Sequence, residues 1–222
     1  MIEPDYSIDT LNISKKGLTE LPHDILNYTN LKNLNCSYNQ LTNLDNLPQS
    51  LIILRCDYNH LTKLDNVPSS IDLLICNNNF ITTLDNLPND LETLICGCNR
   101  ITKLDNLPPN LKQLNCWRNK ITHLDHLPKT LKTLDCSENN LIQLDKLPTS
   151  LEKLECSINK ITNLDNLPKT LKSLDCSMNK ITNLDNLPPE VEDLFCVRNP
   201  FHYDFEPNLD NILKYNASRK YI

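Results

Sequence analysis

Nine cysteines stand at intervals of twenty residues, from Cys36 to Cys196. Thiolates can hold zinc, pair as disulfides or attack electrophiles. Zinc needs ligands that converge on one point, whereas sulfurs at one position of a repeat lie parallel and evenly spaced. Parallel side chains suit a disulfide equally poorly. The series therefore reads as small apolar core residues in a reducing compartment, with all ten thiols free and no metal held. Cys98 stands apart from the series, two residues past an inward position. It is expected to be exposed, with Arg118 and Arg100 close enough to favour its thiolate.

A second series, Asp45, Asp65, Asp85, Asp105, Asp125, Asp145, Asp165 and Asp185, has the look of a calcium stripe. Neighbouring carboxylates ~5 Å apart repel by only about 1 kcal/mol in water. A bond from each Asp to a backbone N–H two residues on, as in an Asx-turn, would offset that. Turn chemistry is the expectation. The five histidines (His23, His60, His123, His126 and His202) make no HExxH pair. With 2 glycines among 222 residues, no glycine-rich phosphate loop can be written. These residues call for no catalytic group, no cofactor and no metal.

The formal net charge of −6, with both signs interspersed, argues against general affinity for nucleic acid or anionic membrane. No apolar run approaches the ~18–20 residues of a membrane span. The opening MIEPDYSIDT is acidic and polar, unlike a secretory signal. A cytoplasmic protein is expected, in host cytoplasm if the chain is viral or an effector.

What must position these residues is a repeat. Taking each ladder Cys as origin, the residue five before it is Leu, Ile or Val and the residue two before it is Leu. Asn stands three after it in every unit. The segment LxxLxC ends in the period-2 pattern of a strand with one buried face. Twenty residues that return to the same strand make one coil of a solenoid, with successive strands ~4.8 Å apart in a parallel sheet. A single coil cannot bury enough apolar surface to fold alone and needs its neighbours. Where the chain leaves the strand, inward backbone groups lack sheet partners, and an Asn amide can satisfy both donors and acceptors.

The unit LxxLxCxxNxITxLDNLPxx, from Leu11 to about Asn199, resembles the leucine-rich repeat, and its length and LP pair resemble the short class of bacterial effectors. It is also similar in its Asn- and Ile-rich style to arrays of giant DNA viruses of amoebae. The resemblance implies an α/β solenoid: a right-handed superhelix with a parallel concave sheet, short extended convex segments, and a role in protein interaction. Two departures stand out. Cys replaces the usual Leu or Val, and the convex segment contains Pro and is too short for a full helix.

Residues 1–30 read as an N-terminal flank and capping repeat, 31–199 as nine repeats, and 200–222 as a cap with a helix. The first unit carries Lys16 in the Asn position and has room for a helical turn around His23–Asn27. In the cap, Leu209, Ile212 and Leu213 share a helical face, as a lid over the last coil would.

The positions that vary are those beside the inward Leu and Cys. Ile53, Leu73, Ile75 and Ile95 fall on adjacent strands, with Trp117 across from them and Gly97 expected to leave a hollow. The next coils bear Asp135, Glu155 and Asp175 in a row. Contiguous apolar residues on an open sheet face point to a binding patch. A rim column of Arg100, Lys120, Lys160 and Lys180 reads as solvated. The expected function is a monomeric, non-enzymatic module that binds a protein or peptide, a host protein among the candidates, on its concave face. A self-assembling or virion component is the alternative.

Overall fold

The computed structural model describes residues 4–144 and 146–219. Ten three-residue strands pair in chain order into one parallel sheet. They are β1 (Thr10–Asn12), β2 (Asn33–Asn35), β3 (Ile53–Arg55), β4 (Leu73–Ile75) and β5 (Thr93–Ile95), followed by β6 (Gln113–Asn115), β7 (Thr133–Asp135), β8 (Lys153–Glu155), β9 (Ser173–Asp175) and β10 (Asp193–Phe195). The register puts like on like: Leu34 opposite Leu54, Leu54 opposite Leu74, and so on to Leu194. Each strand therefore turns its central Leu into the core and its two flanking residues out.

The core is a stack of layers, one per coil. In the coil after Leu91, that Leu, Leu94, Cys96 and Ile101 are fully buried and Leu104 nearly so. All nine ladder cysteines are buried. Each coil's Asn joins its own coil to the one before: Asn59 donates through Nδ2 to the carbonyls of Cys36 and Cys56, both at 3.1 Å, and accepts the Leu41 N–H at 2.9 Å. Lys16 does not fill that role in the first coil. Instead Asn39 Oδ1 reaches back to the N–H groups of Lys16 and Leu18, each at 3.0 Å. A further ladder, unseen in the sequence, links the far side of the coils. The hydroxyls of Ser50, Ser70, Thr130, Ser150 and Thr170 donate to the carbonyl of the inward Leu one coil earlier, at 2.6–2.8 Å.

The expected N-terminal turn is a 3-10 turn at Ile25–Asn27. The cap is α1 (Leu209–Arg219), started by Asn208, whose side chain accepts the Asn211 N–H at 2.9 Å. Its Ile212 is fully buried, with Leu209 and Leu213 against the core. Asn216 and Arg219 tie it to the Leu184 carbonyl at 2.8 Å and to Asp185 at 2.7 Å. Among the described residues no helix is long and apolar enough to cross a membrane.

The aspartate series behaves differently from expectation. None of its described members bonds the N–H two residues on. Four of them reach instead to the turn of the following coil: Asp45 accepts from Asn66 Nδ2 at 3.0 Å, Asp85 from Asn106 at 3.3 Å, Asp165 from Asn186 at 3.3 Å, and Asp125 from Lys146 Nζ at 3.2 Å. Asp65 pairs with Lys63 of its own coil, and Asp185 with Tyr203 and Arg219 of the cap. Asp145 lies outside the described residues. The Asx-turns exist one strand end away, where Asn35, Asn115, Asp135 and Asp175 each accept the N–H two residues on. The reason is geometric: the donor in the next coil stands directly beside the carboxylate, so the series binds coil to coil.

Candidate interaction face

The outward strand residues form two columns, one on each side of the inward Leu, and the register decides who is neighbour to whom. Ile53 pairs with Leu73 in one column, and Ile75 with Ile95 in the other. Because Leu73 and Ile75 share β4, the four make one contiguous apolar patch, each half-buried. Trp117 follows β6 at the edge of this patch. Its indole lies on Gly97: a Cβ built there would stand 2.2 Å from Trp117 Nε1. The hollow expected at Gly97 is therefore filled by Trp117 itself. Gly97 is needed for room, since an L side chain would occupy the space of the ring.

The acidic stretch also comes together, with Asp135 opposite Glu155 and Glu155 opposite Asp175. Its charge is less open than the sequence suggests. Lys153 pairs with Glu155 at 2.6 Å. Asp135 accepts the Ser137 N–H at 3.0 Å and Asn115 Nδ2 at 2.9 Å, while burial pushes its carboxyl above the ordinary range. Asp175 accepts the Ser177 N–H at 2.9 Å. These residues fix the chain's exit from the strand as well as facing outward.

Two columns beyond the strands were missed. The residue two after each ladder Cys adopts positive φ in every coil, from Tyr38 at 56° to Arg198 at 57°. Exposed Tyr38 and Tyr58 stack there at 4.3 Å, with Lys15 over Tyr38 at 5.1 Å. Two residues further on, His60 stacks on Phe80 at 5.7 Å and Arg100 lies over Phe80 at 4.4 Å. Tyr at the same place in consecutive repeats was the available signal. Of the expected rim column, Arg100 is thus engaged with an aromatic ring and Lys160 with Asn140 at 2.9 Å.

Cys98 belongs to that positive-φ column and is half-buried. Its thiol is pushed above the ordinary value, burial being the main cause, with Arg118 opposing and Glu138 adding to it. The expected activation fails because burial outweighs the help from Arg118, which also faces Glu138 at 4.0 Å, while Arg100 turns to Phe80. Among the described residues no group of three or more His, Cys, Asp or Glu could hold a metal ion.

No protein-family model and no curated protein sequence matches the chain. Solved structures do. YopM from Yersinia enterocolitica is 31% identical over 91% of this chain and 49% of its own, with a TM-score of 0.81. YopM from Yersinia pestis, a leucine-rich effector protein, is 32% identical over 82% of this chain and 58% of its own, with a TM-score of 0.72. The functional domain of InlJ from Listeria monocytogenes, described as including a cysteine ladder, is 29% identical over 90% of this chain and 56% of its own, at 0.60. The chain thus spans about half the length of these three structures. Sequential parallel strands, an inward Leu and a bridging Asn in successive coils and these likenesses agree: the chain has the leucine-rich-repeat solenoid fold, closed by a C-terminal helix.

Proposed function

We propose that the protein is a non-enzymatic module that binds another protein through its open sheet face, a host protein if it acts as an effector in host cytoplasm. The observation that carries this reading is the contiguity of Ile53, Leu73, Ile75 and Ile95 on neighbouring strands, bordered by Trp117. Apolar side chains grouped on a face that the fold itself leaves uncovered mark a contact surface, whereas scattered ones do not. Removing them from water supplies most of the binding energy, with the aromatic residue as principal anchor. Asp135, Glu155 and Asp175 then steer and orient a basic part of the partner more than they add affinity. The likeness to the Yersinia pestis leucine-rich effector supports an interaction role. The monomer is the working unit, with neither nucleic acid nor membrane as partner.

The test is affinity capture from host cytosol with wild-type bait and with an Ile75→Ser/Ile95→Ser bait. Both positions face outward, so the fold survives. Loss of the same captured protein from the variant supports the face. Equal capture refutes it.

A further inference from the structure

At its β1 end the sheet face carries a cavity of about 310 Å³, lined among others by Thr10, Asn12, Asn33, Asn35, Ile53 and Arg55. The register places Asn12, Asn35 and Arg55 side by side on three adjacent strands. Asn12 and Asn35 spend their Oδ1 atoms on the N–H groups of Ser14 and Ser37, at 3.0 and 3.1 Å. Among the described residues their Nδ2 groups and the Arg55 guanidinium find no protein acceptor. No carboxylate lines the cavity. The carboxylates nearest in sequence are occupied: Asp9 accepts the Thr10 hydroxyl at 3.0 Å, and Asp57 accepts Ser37 Oγ at 3.2 Å and the Asn77 N–H and Nδ2 at 3.1 and 2.9 Å. A planar guanidinium flanked by two amide donors matches the two oxygens of a carboxylate.

This end is opposite in sign to the stretch from Asp135 onward, and the apolar patch lies between them. Arg55 and Asp135 are four coils apart, about 19 Å at ~4.8 Å per strand. Roughly six residues of extended chain cover that distance. Resting on the reading of this face as a binding surface, we infer that it takes an extended peptide with a defined direction. The peptide's C-terminal carboxylate is held by Arg55, Asn12 and Asn35. Alternate apolar side chains lie over Ile53, Leu73, Ile75 and Ile95, and a Lys or Arg about six residues upstream faces Asp135 and Glu155. A chain end fits better than an acidic side chain because only β2 and β1 lie beyond Arg55 among the described strands. A peptide continuing past the carboxylate site would have about 10 Å of sheet beneath it at ~4.8 Å per strand.

The experiment pans the folded protein against two random peptide libraries, one displayed with free C-termini and the other with every C-terminus joined to a following domain. The expected result is enrichment from the free-ended library alone, with Lys or Arg favoured about six residues from the end. Synthetic versions of the enriched peptides should weaken at least tenfold on C-terminal amidation. Against Arg55→Gln, whose side chain is exposed and whose unfolding midpoint should match wild type, acid and amide should bind alike. Equal enrichment from both libraries, or binding unchanged in Arg55→Gln, overturns the assignment of the carboxylate site. Absence of enrichment from either library also overturns it. In each of these cases, loss of cytosolic capture by the Ile75→Ser/Ile95→Ser bait would leave the sheet-face reading standing.

Discussion

A single amide per coil decides whether the coils close. Asn99 donates to the carbonyls of Cys76, Cys96 and Gly97 at 3.0, 3.0 and 3.1 Å and accepts the Ile81 N–H at 3.0 Å, all from a buried position. Asn99→Ala would leave those groups without partners in the core, a loss of about 3 kcal/mol. Asn99→Asp should cost no less, because a carboxylate cannot donate to the three carbonyls. At the half-exposed last position, Asn199→Ala should cost about 1 kcal/mol, since water can replace the amide. Urea unfolding of the three variants checks this, and equal losses at positions 99 and 199 would contradict it.

At the scale of strand and turn, Trp117 belongs to one coil and rests on the one before. Gly97→Ala places a methyl where the indole lies and must push the ring off its seat. Because Trp117 is the only Trp, its fluorescence reports the displacement: emission should shift to the red, with little change in far-ultraviolet dichroism. An unmoved spectrum would mean that the ring does not lie on Gly97. The architecture was legible because the repeat states it nine times: Leu, Cys and Asn mark inward positions, and their period sets the sheet. The cap was legible for a similar reason, Leu209, Ile212 and Leu213 being spaced for one helical face. The positive-φ column was not legible, because residues as different as Tyr58, Cys98, Glu138 and Ile158 occupy it. That conformation is imposed by the bonds from the flanking backbone to the next coil, such as Ile158 N–H to the Ser177 carbonyl at 3.0 Å. The apolar patch could be read from its columns. The filling of the Gly97 hollow, the Lys153–Glu155 pair and the stacking of Phe80 under Arg100 could not, since each depends on which rotamer a long side chain adopts.

Across the whole molecule, the cysteine ladder couples stability to pH. Burial raises its thiols, Cys36 and Cys96 to about 12 and Cys196 to about 11. An unfolded chain loses these protons near pH ~8.5. Above that pH the folded state holds more protons than the unfolded one, so stability is intact below about pH 8 and falls as pH rises toward the folded values. Each thiol contributes a slope of about 1.4 kcal/mol per pH unit, and nine act together. Cooperative alkaline unfolding near pH ~10 is expected, moved upward by Cys96→Val with Cys116→Val. Dichroism that stays unchanged to pH ~11 would contradict it. The same molecule presents a constant frame and a variable face, and the central claim is that the face does the binding. The most direct measurement is the dissociation constant of the captured partner for wild type and for Trp117→Ala, with unfolding midpoints recorded alongside. Binding should weaken by about 1.5–3 kcal/mol while the midpoint stays in place. An unchanged dissociation constant would contradict the account.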